Sequence, residues 1–297
     1  MTTARAATQV VPATRLAAYV SLSKPDVTFL VLVTTLAGFY MGAPGPLDWN
    51  LLGATVLGTA LLAAGTMALN HYVERDTDSR MHRTAGRPLP AGVLSPSEVL
   101  RFGIGLTATG AAILMLRVGL LPCLLGVATT GLYLGVYTPL KRQSVHATTV
   151  GSFPGALPPL IGWAAASGHL DRNAWILFAI LFFWQFPHFL SIAWVYRKDY
   201  ARAGLRMLPV VDDTGTATFR QILLATAALV LSSLLPSVTG LTGITYFFGA
   251  LILGMALLQI CLWAERERTN RRVRWIMHAS AIYLPFLLAV MMLDRIS

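Results

Sequence analysis

From Leu51 to Leu69 the chain carries no charged side chain, and at Asn70 it runs without interruption into acids and arginines that continue to Pro90. An α-helix needs about 20 apolar residues to cross a bilayer, because each residue advances it by about 1.5 Å. The run therefore predicts a membrane helix that delivers charged groups to the membrane surface. Similar apolar runs recur along the chain, giving spans near 27–43, 51–72, 98–116, 119–137, 148–167, 174–195, 218–236, 243–263 and 275–293. With 55% hydrophobic and 12% charged residues, lipid is the main solvent of such a chain. The expected fold is all-α: a polytopic membrane protein with a bundle of about nine transmembrane helices, forming one domain over 1–297. Residues 1–24 carry Arg5, Arg15 and Lys24 and no acid. They read as a cytosolic N-terminal tail with an interfacial helix from Arg15.

The net charge of +10 suggests nucleic acid in a soluble protein, but here the placement of the charges explains it. Of 23 lysines and arginines, all but Arg117, Arg172 and Arg295 fall on the same side of the predicted membrane as the N-terminus. The positive-inside rule then makes this a protein of the cell membrane with its N-terminus cytosolic, its C-terminus outside and no nucleic-acid partner. The opposite connections are short and poor in charge, so functional residues are expected at the cytosolic mouth. Cys123 and Cys261 stand alone in apolar runs and read as small packing residues. Gly131 with Gly135, and Gly151 with Gly155, have the spacing that lets helices approach closely.

Asn70, Glu74 and Asp78 are spaced by four and so share one face of a continuing helix. Two carboxylates and an amide supply hard oxygen atoms suited to Mg²⁺, which keeps waters and substrate phosphates among its ligands. Arg75, Arg80, Arg83 and Arg87 add cations beside them. A solvated loop that merely sets topology would carry similar charges; the interleaving of acids with arginines favours a metal-bridged diphosphate instead. Two more clusters begin on the same side, one with Arg197, Lys198, Asp199, Arg202 and Arg206, the other with Lys141 and Arg142. If the three loops converge, they would neutralise the charge that develops on a departing diphosphate while an isoprenoid tail lies in the bundle.

Together, Asn70, Glu74 and Asp78 followed by Arg87-Pro-Leu-Pro90, Tyr137-Thr-Pro-Leu-Lys141, Trp184-Gln-Phe-Pro-His-Phe189 and Asp199-Tyr through Met207-Leu-Pro209 resemble the protoheme IX farnesyltransferases. These are heme O synthases of the intramembrane UbiA-type prenyltransferase superfamily. The resemblance runs from Ser23-Lys-Pro-Asp26 to the C-terminal region. It implies Mg²⁺-dependent transfer of farnesyl from farnesyl diphosphate to a vinyl group of heme b, with addition of water, giving heme O and diphosphate. By this resemblance Asn70, Glu74, Asp78 and Asp199 bind metal and take part in catalysis with Lys141. Arg75, Arg83, Arg87, Arg142, Arg197 and Lys198 are candidate substrate contacts, and heme-handling or terminal-oxidase assembly proteins are the expected partners. Glu74 stands where superfamily members often carry Asp, and Arg197 and Lys198 precede a single Asp199 where many relatives have paired acids. A second protein-bound Mg²⁺ is therefore not expected.

A heme substrate makes each histidine a candidate contact. His71 and His82 flank the acidic stripe. His188 lies deep in a span after Pro187, where an ionisable group is a functional candidate; its structural alternative is a bond to the carbonyl that Pro187 frees. His278 reads as a core or interfacial residue. A prenyltransferase acting on an aromatic quinone precursor would share the first motif and the bundle, and a transporter would share the bundle alone.

Overall fold

The computed structural model describes residues 14–296; Arg5 and the first part of the expected tail lie outside the described residues. The chain forms α1 Arg15–Leu22, α2 Pro25–Gly42, α3 Trp49–Asp78, α4 Pro96–Val118, α5 Leu120–Leu140, α6 Ala147–Gly155, α7 Pro158–Ser167 and α8 Arg172–Val195. Short α9 Arg197–Arg202 and α10 Leu208–Val211 lead into α11 Thr216–Val238, α12 Ile244–Glu265 and α13 Asn270–Leu293. Among the described residues the only β contact is a single bridge between Thr242 and Arg295. The helix expected from Arg15 is α1.

Local chemistry fixes where helices begin. Asp48 accepts from the Asn50 and Leu51 N–H groups at the head of α3, and Asp171 does the same for Asn173 and Ala174 at the head of α8. Ser95 and Glu98 form a reciprocal capping box before α4, with Pro96 in the first turn. Inside lipid the sequence has little freedom, because every backbone polar group must be satisfied within the protein.

Among the described residues eight helices are long and apolar enough to cross a membrane. The span expected over 148–167 is not a ninth such helix. It is the pair α6 and α7, with Ala156 and Leu157 between them. Proline explains the break: Pro154, Pro158 and Pro159 lack the N–H that a continuous helix needs, and their rings crowd the preceding turn. Gln185 of α8 donates to the Ser152 carbonyl at 2.9 Å, so a polar group near the break is satisfied by a neighbouring helix. The two short helices still traverse the bundle. α6 follows the loop of Lys141, which meets α3 at Glu74, whereas α7 runs beside α2 until Trp163 lies against Gly42. Arg295 donates to the Tyr40 carbonyl at 2.6 Å, so the C-terminus reaches the Gly42 end while the described N-terminus lies at the Asn70 end.

Close helix approach relies on two of the four expected glycines and on others besides. A Cβ on Gly65 would sit 2.5 Å from the Thr107 nitrogen, and one on Gly110 would sit 2.5 Å from the Leu62 nitrogen, so α3 and α4 meet backbone to backbone. Gly151 and Gly155 do face tight neighbours, Tyr137 and Gln185. Gly131 and Gly135 meet nothing within 4 Å because they face outward from α5. Cys123 and Cys261 are buried and free, as packing residues should be. The main core lies among α2, α7, α8 and α11 to α13. Leu116, Leu231, Ile252 and Phe286 point outward, as a lipid-facing surface requires. The protein is a multi-pass membrane protein.

Candidate active site

Asn70, Glu74 and Asp78 occupy the last two turns of α3, and the three basic loops converge on them. Lys141 follows α5 and donates to Glu74 at 2.6 Å. Arg87, on the loop after α3, meets Asp78 at 2.6 Å. Asn70 accepts from Lys24 at 2.8 Å and donates to Thr138 at 3.3 Å. Arg142 bonds Thr77, between the two acids in sequence. The third loop is tied in through its backbone, since the Arg206 N–H reaches the Lys141 carbonyl at 2.8 Å. Asp199 closes the set: it accepts from the Arg83 N–H at 3.3 Å and pairs with Arg202. Met81, Tyr200, Leu205 and Met207 form a small core that holds these loops together.

The pairing is electrostatically uneven. Burial works against the Lys141 ammonium, but the Glu74 carboxylate, with Tyr137 and Tyr133 behind it, holds it above its ordinary value. Among the described residues Lys24 has no such carboxylate in contact. Its surrounding protein atoms and the Arg87 guanidinium push it down to about 7. Asp78 is only 1% exposed, and its Oδ1 is buried without a hydrogen-bond partner among the described residues. Among the described residues no three of His, Cys, Asp and Glu gather round one point. Mg²⁺ does not require such a cage, because it is commonly held by one or two carboxylates together with phosphates and waters. Glu74 meets Lys141 through one oxygen, and the orphaned Asp78 Oδ1 is a hard donor, so this face fits the ion.

Beneath the charges a cavity of about 200 Å³ runs into the bundle. Lys24, Tyr133 and Tyr137 line its polar end, and Leu62, Met67 and Leu181 are among its apolar walls. The broken crossing contributes Gly151, Pro154, Gly155 and Pro158, so the interrupted backbone serves to line a cavity. Tyr133 and Tyr137 lie in a π-helical turn, Leu132–Tyr137, and the Lys141 ammonium sits 4.5 Å above the Tyr137 ring. A second, basic chamber lies beside the first, lined by Lys24, His71, Arg83 and Arg87 with Asp26 at its edge. Lys24 is common to both chambers.

The UbiA prenyltransferase family model matches residues 31–287. The chain belongs to the UbiA prenyltransferase family. It is 48% identical over 286 residues to a protoheme IX farnesyltransferase of Solibacter usitatus, covering 93% of this chain and 98% of that one. A protoheme IX farnesyltransferase of Koribacter versatilis is 44% identical over 288 residues, covering 93% of each. Among solved structures, a digeranylgeranylglyceryl phosphate synthase superposes with a TM-score of 0.79 at 15% identity, over 94% of this chain and 98% of that one. A UbiA homolog from Archaeoglobus fulgidus bound to DMAPP and Mg²⁺ superposes with a TM-score of 0.65 at 16% identity, over 92% and 98%. The all-α bundle is thus the family fold, and this protein is a membrane prenyltransferase, as its motifs implied.

Within this family member the remaining candidates divide. Arg83 sits 5.4 Å above the Tyr196 ring and lines the basic chamber, as do Arg87 and His71. His71 is 3% exposed, and among the described residues neither ring nitrogen has a hydrogen-bond partner. Arg75 turns back onto the Tyr72 ring and carbonyl, beside Asp76. Arg197 is taken up by the Trp194 carbonyl and Asn270. Lys198 and His82 are exposed. His188 stacks on Trp184 and bonds Ser280 at 3.0 Å, pinning α8 to α13 rather than lining the cavity. His278 is exposed and not part of the core.

Sequence reasoning missed Lys24. It precedes Pro25 with a left-handed backbone, φ 44°, which is uncommon outside glycine, and that bend carries its ammonium to Asn70. The available signal was a lone lysine placed immediately before the proline that opens an apolar helix.

Proposed function

We propose that this prenyltransferase transfers farnesyl from farnesyl diphosphate to a vinyl group of heme b, with addition of water, to give heme O and diphosphate. The observation that carries the reading is the apolar cavity whose polar end opens beneath two carboxylates and cations from three loops. The isoprenoid tail lies in that cavity, where burial is worth about 0.8 kcal/mol per CH₂. Its diphosphate is held at the head by Lys24, Lys141, Arg87 and Arg142, with Arg83 and His71 facing it across the basic chamber. Asn70, Glu74 and Asp78 would hold Mg²⁺ there, and the ion would supply charge neutralisation to the departing diphosphate. Asp199 serves chiefly to hold the third loop against the first, since its oxygens are engaged by Arg83 and Arg202.

As the allylic carbon–oxygen bond lengthens, negative charge grows on the diphosphate, and the cations already in place stabilise it without reorganisation. Positive charge grows on the allylic carbon. Tyr133 and Tyr137 line the head of the cavity, where their π electrons would stabilise it. The apolar walls exclude water until the vinyl group has attacked. The same reading puts the basic end in the cytosol, the N-terminus inside and the C-terminus outside the cell membrane, with heme-handling or terminal-oxidase assembly proteins downstream. The test is a paired assay of the purified protein with farnesyl diphosphate and Mg²⁺, offering heme b or a hydroxybenzoate and identifying products by mass spectrometry. Farnesylated, hydrated heme supports the reading. Unmodified heme with prenylated hydroxybenzoate overturns it in favour of a quinone-precursor enzyme.

A further inference from the structure

At the basic end of the bundle the head of α13 and the end of α8 leave a cleft of about 660 Å³ between Tyr196 and Asn270, Arg271, Arg274, Trp275 and His278. That volume lies within the roughly 300–1,000 Å³ of sites for small molecules and cofactors. Arg271, Arg274 and His278 share one face of α13 by their spacing of three and four. Nearby arginines are tied to acids, Arg268 to Glu265 and Arg272 to Glu267. Among the described residues Arg271 and Arg274 meet no carboxylate. The cleft thus holds two uncompensated guanidiniums on adjacent turns, their Cβ atoms about 5–6 Å apart, beside an indole that is 57% exposed. Its opposite wall adjoins the active site, because Tyr196 also carries the Arg83 guanidinium, and the Arg83 N–H is bonded to Asp199.

Resting on the heme reading above, we infer that this cleft docks the acceptor porphyrin, its two propionates on Arg271 and Arg274 and its ring between Trp275 and Tyr196. Charge count favours this occupant over an anionic phospholipid: a phosphodiester brings one negative charge, whereas heme brings two carboxylates along one edge of a flat apolar ring. The vinyl groups of heme lie away from that edge. Holding the propionates at the rim therefore turns the vinyl side toward the interior of the protein, and makes Arg271 and Arg274 selectors of acceptor orientation.

The test is absorption titration of the full chain in lipid nanodiscs with heme b, without farnesyl diphosphate, for the wild type and the double variant Arg271→Gln, Arg274→Gln. Losing two charge-assisted contacts, each worth about tenfold, raises the half-saturating heme concentration about a hundredfold. Farnesyl diphosphate binding and the unfolding temperature stay unchanged. Heme dimethyl ester, which has no propionate charge, binds the wild type as weakly as heme binds the variant; this arm needs no substitution to fold. Equal half-saturation by heme in both proteins, or equal binding of heme and its ester, overturns the inference. Loss of a co-purifying anionic phospholipid from the variant with heme affinity unchanged also overturns it, and assigns the cleft to lipid. Failure of the heme reading itself looks different: the wild type then binds no heme saturably and forms no heme O.

Discussion

Lys24 is under opposed demands. With its value pushed from 10.5 to about 7, the fold prefers the neutral amine. Its stability is highest above the ordinary lysine value and is lost as the pH falls from about 10.5 toward 7. Lys24→Met should therefore raise the unfolding temperature at pH 7 and change it little near pH 10.5, while weakening farnesyl diphosphate binding at pH 7; thermal unfolding and calorimetry at the two pH values check both halves. The acids make a second contrast. Glu74→Gln keeps a hydrogen-bonding partner for Lys141 and should lower kcat by about a hundredfold or more, with a smaller loss of stability because the buried ammonium loses its counter-charge. Asp78→Ala strands a buried Arg87 and should also cost about 3–5 kcal/mol of stability, which parallel turnover and denaturation measurements would separate. The four-residue spacing of Asn70, Glu74 and Asp78 made their shared face legible in the sequence. Their partners were legible only in part: Arg87 follows the acids closely, whereas Lys141 lies far along the chain from Glu74, and the Lys24-Pro25 step does not say that its bend leads to Asn70.

For whole elements, legibility followed apolar length. Eight crossings could be read because a long uncharged run has few other uses. The broken crossing was misread as one span because its composition is equally apolar; the cue lay in Pro154, Pro158 and Pro159, whose missing N–H groups end α6 and restart the chain as α7. Glycine spacing was a weaker guide, since a four-residue interval marks a close approach only where the helix face meets another backbone. Gly65→Val should part α3 from α4 and destabilise the bundle by about 1–3 kcal/mol or more. Gly135→Ala, facing open space, should be neutral or slightly stabilising. Unfolding of the two variants in detergent distinguishes a packed glycine from an exposed one.

At the scale of the molecule, all three basic loops gather at one end of the bundle, and this convergence gives the acids their cations. Membrane-impermeant thiol labelling of intact cells tests its orientation: Lys198→Cys should be protected and His169→Cys, on the exposed connection between α7 and α8 at the other end of the bundle, labelled, against a silent background because Cys123 and Cys261 are buried. In the proposed reaction, carboxylates at the end of α3 and loop cations grip a diphosphate through Mg²⁺. Calorimetric titration with a non-hydrolysable farnesyl diphosphate analogue measures this directly. Binding should be tight with Mg²⁺, at least tenfold weaker without it, and comparably weak for Glu74→Gln even when Mg²⁺ is present. Affinity indifferent to both the metal and the Glu74 carboxylate would contradict it.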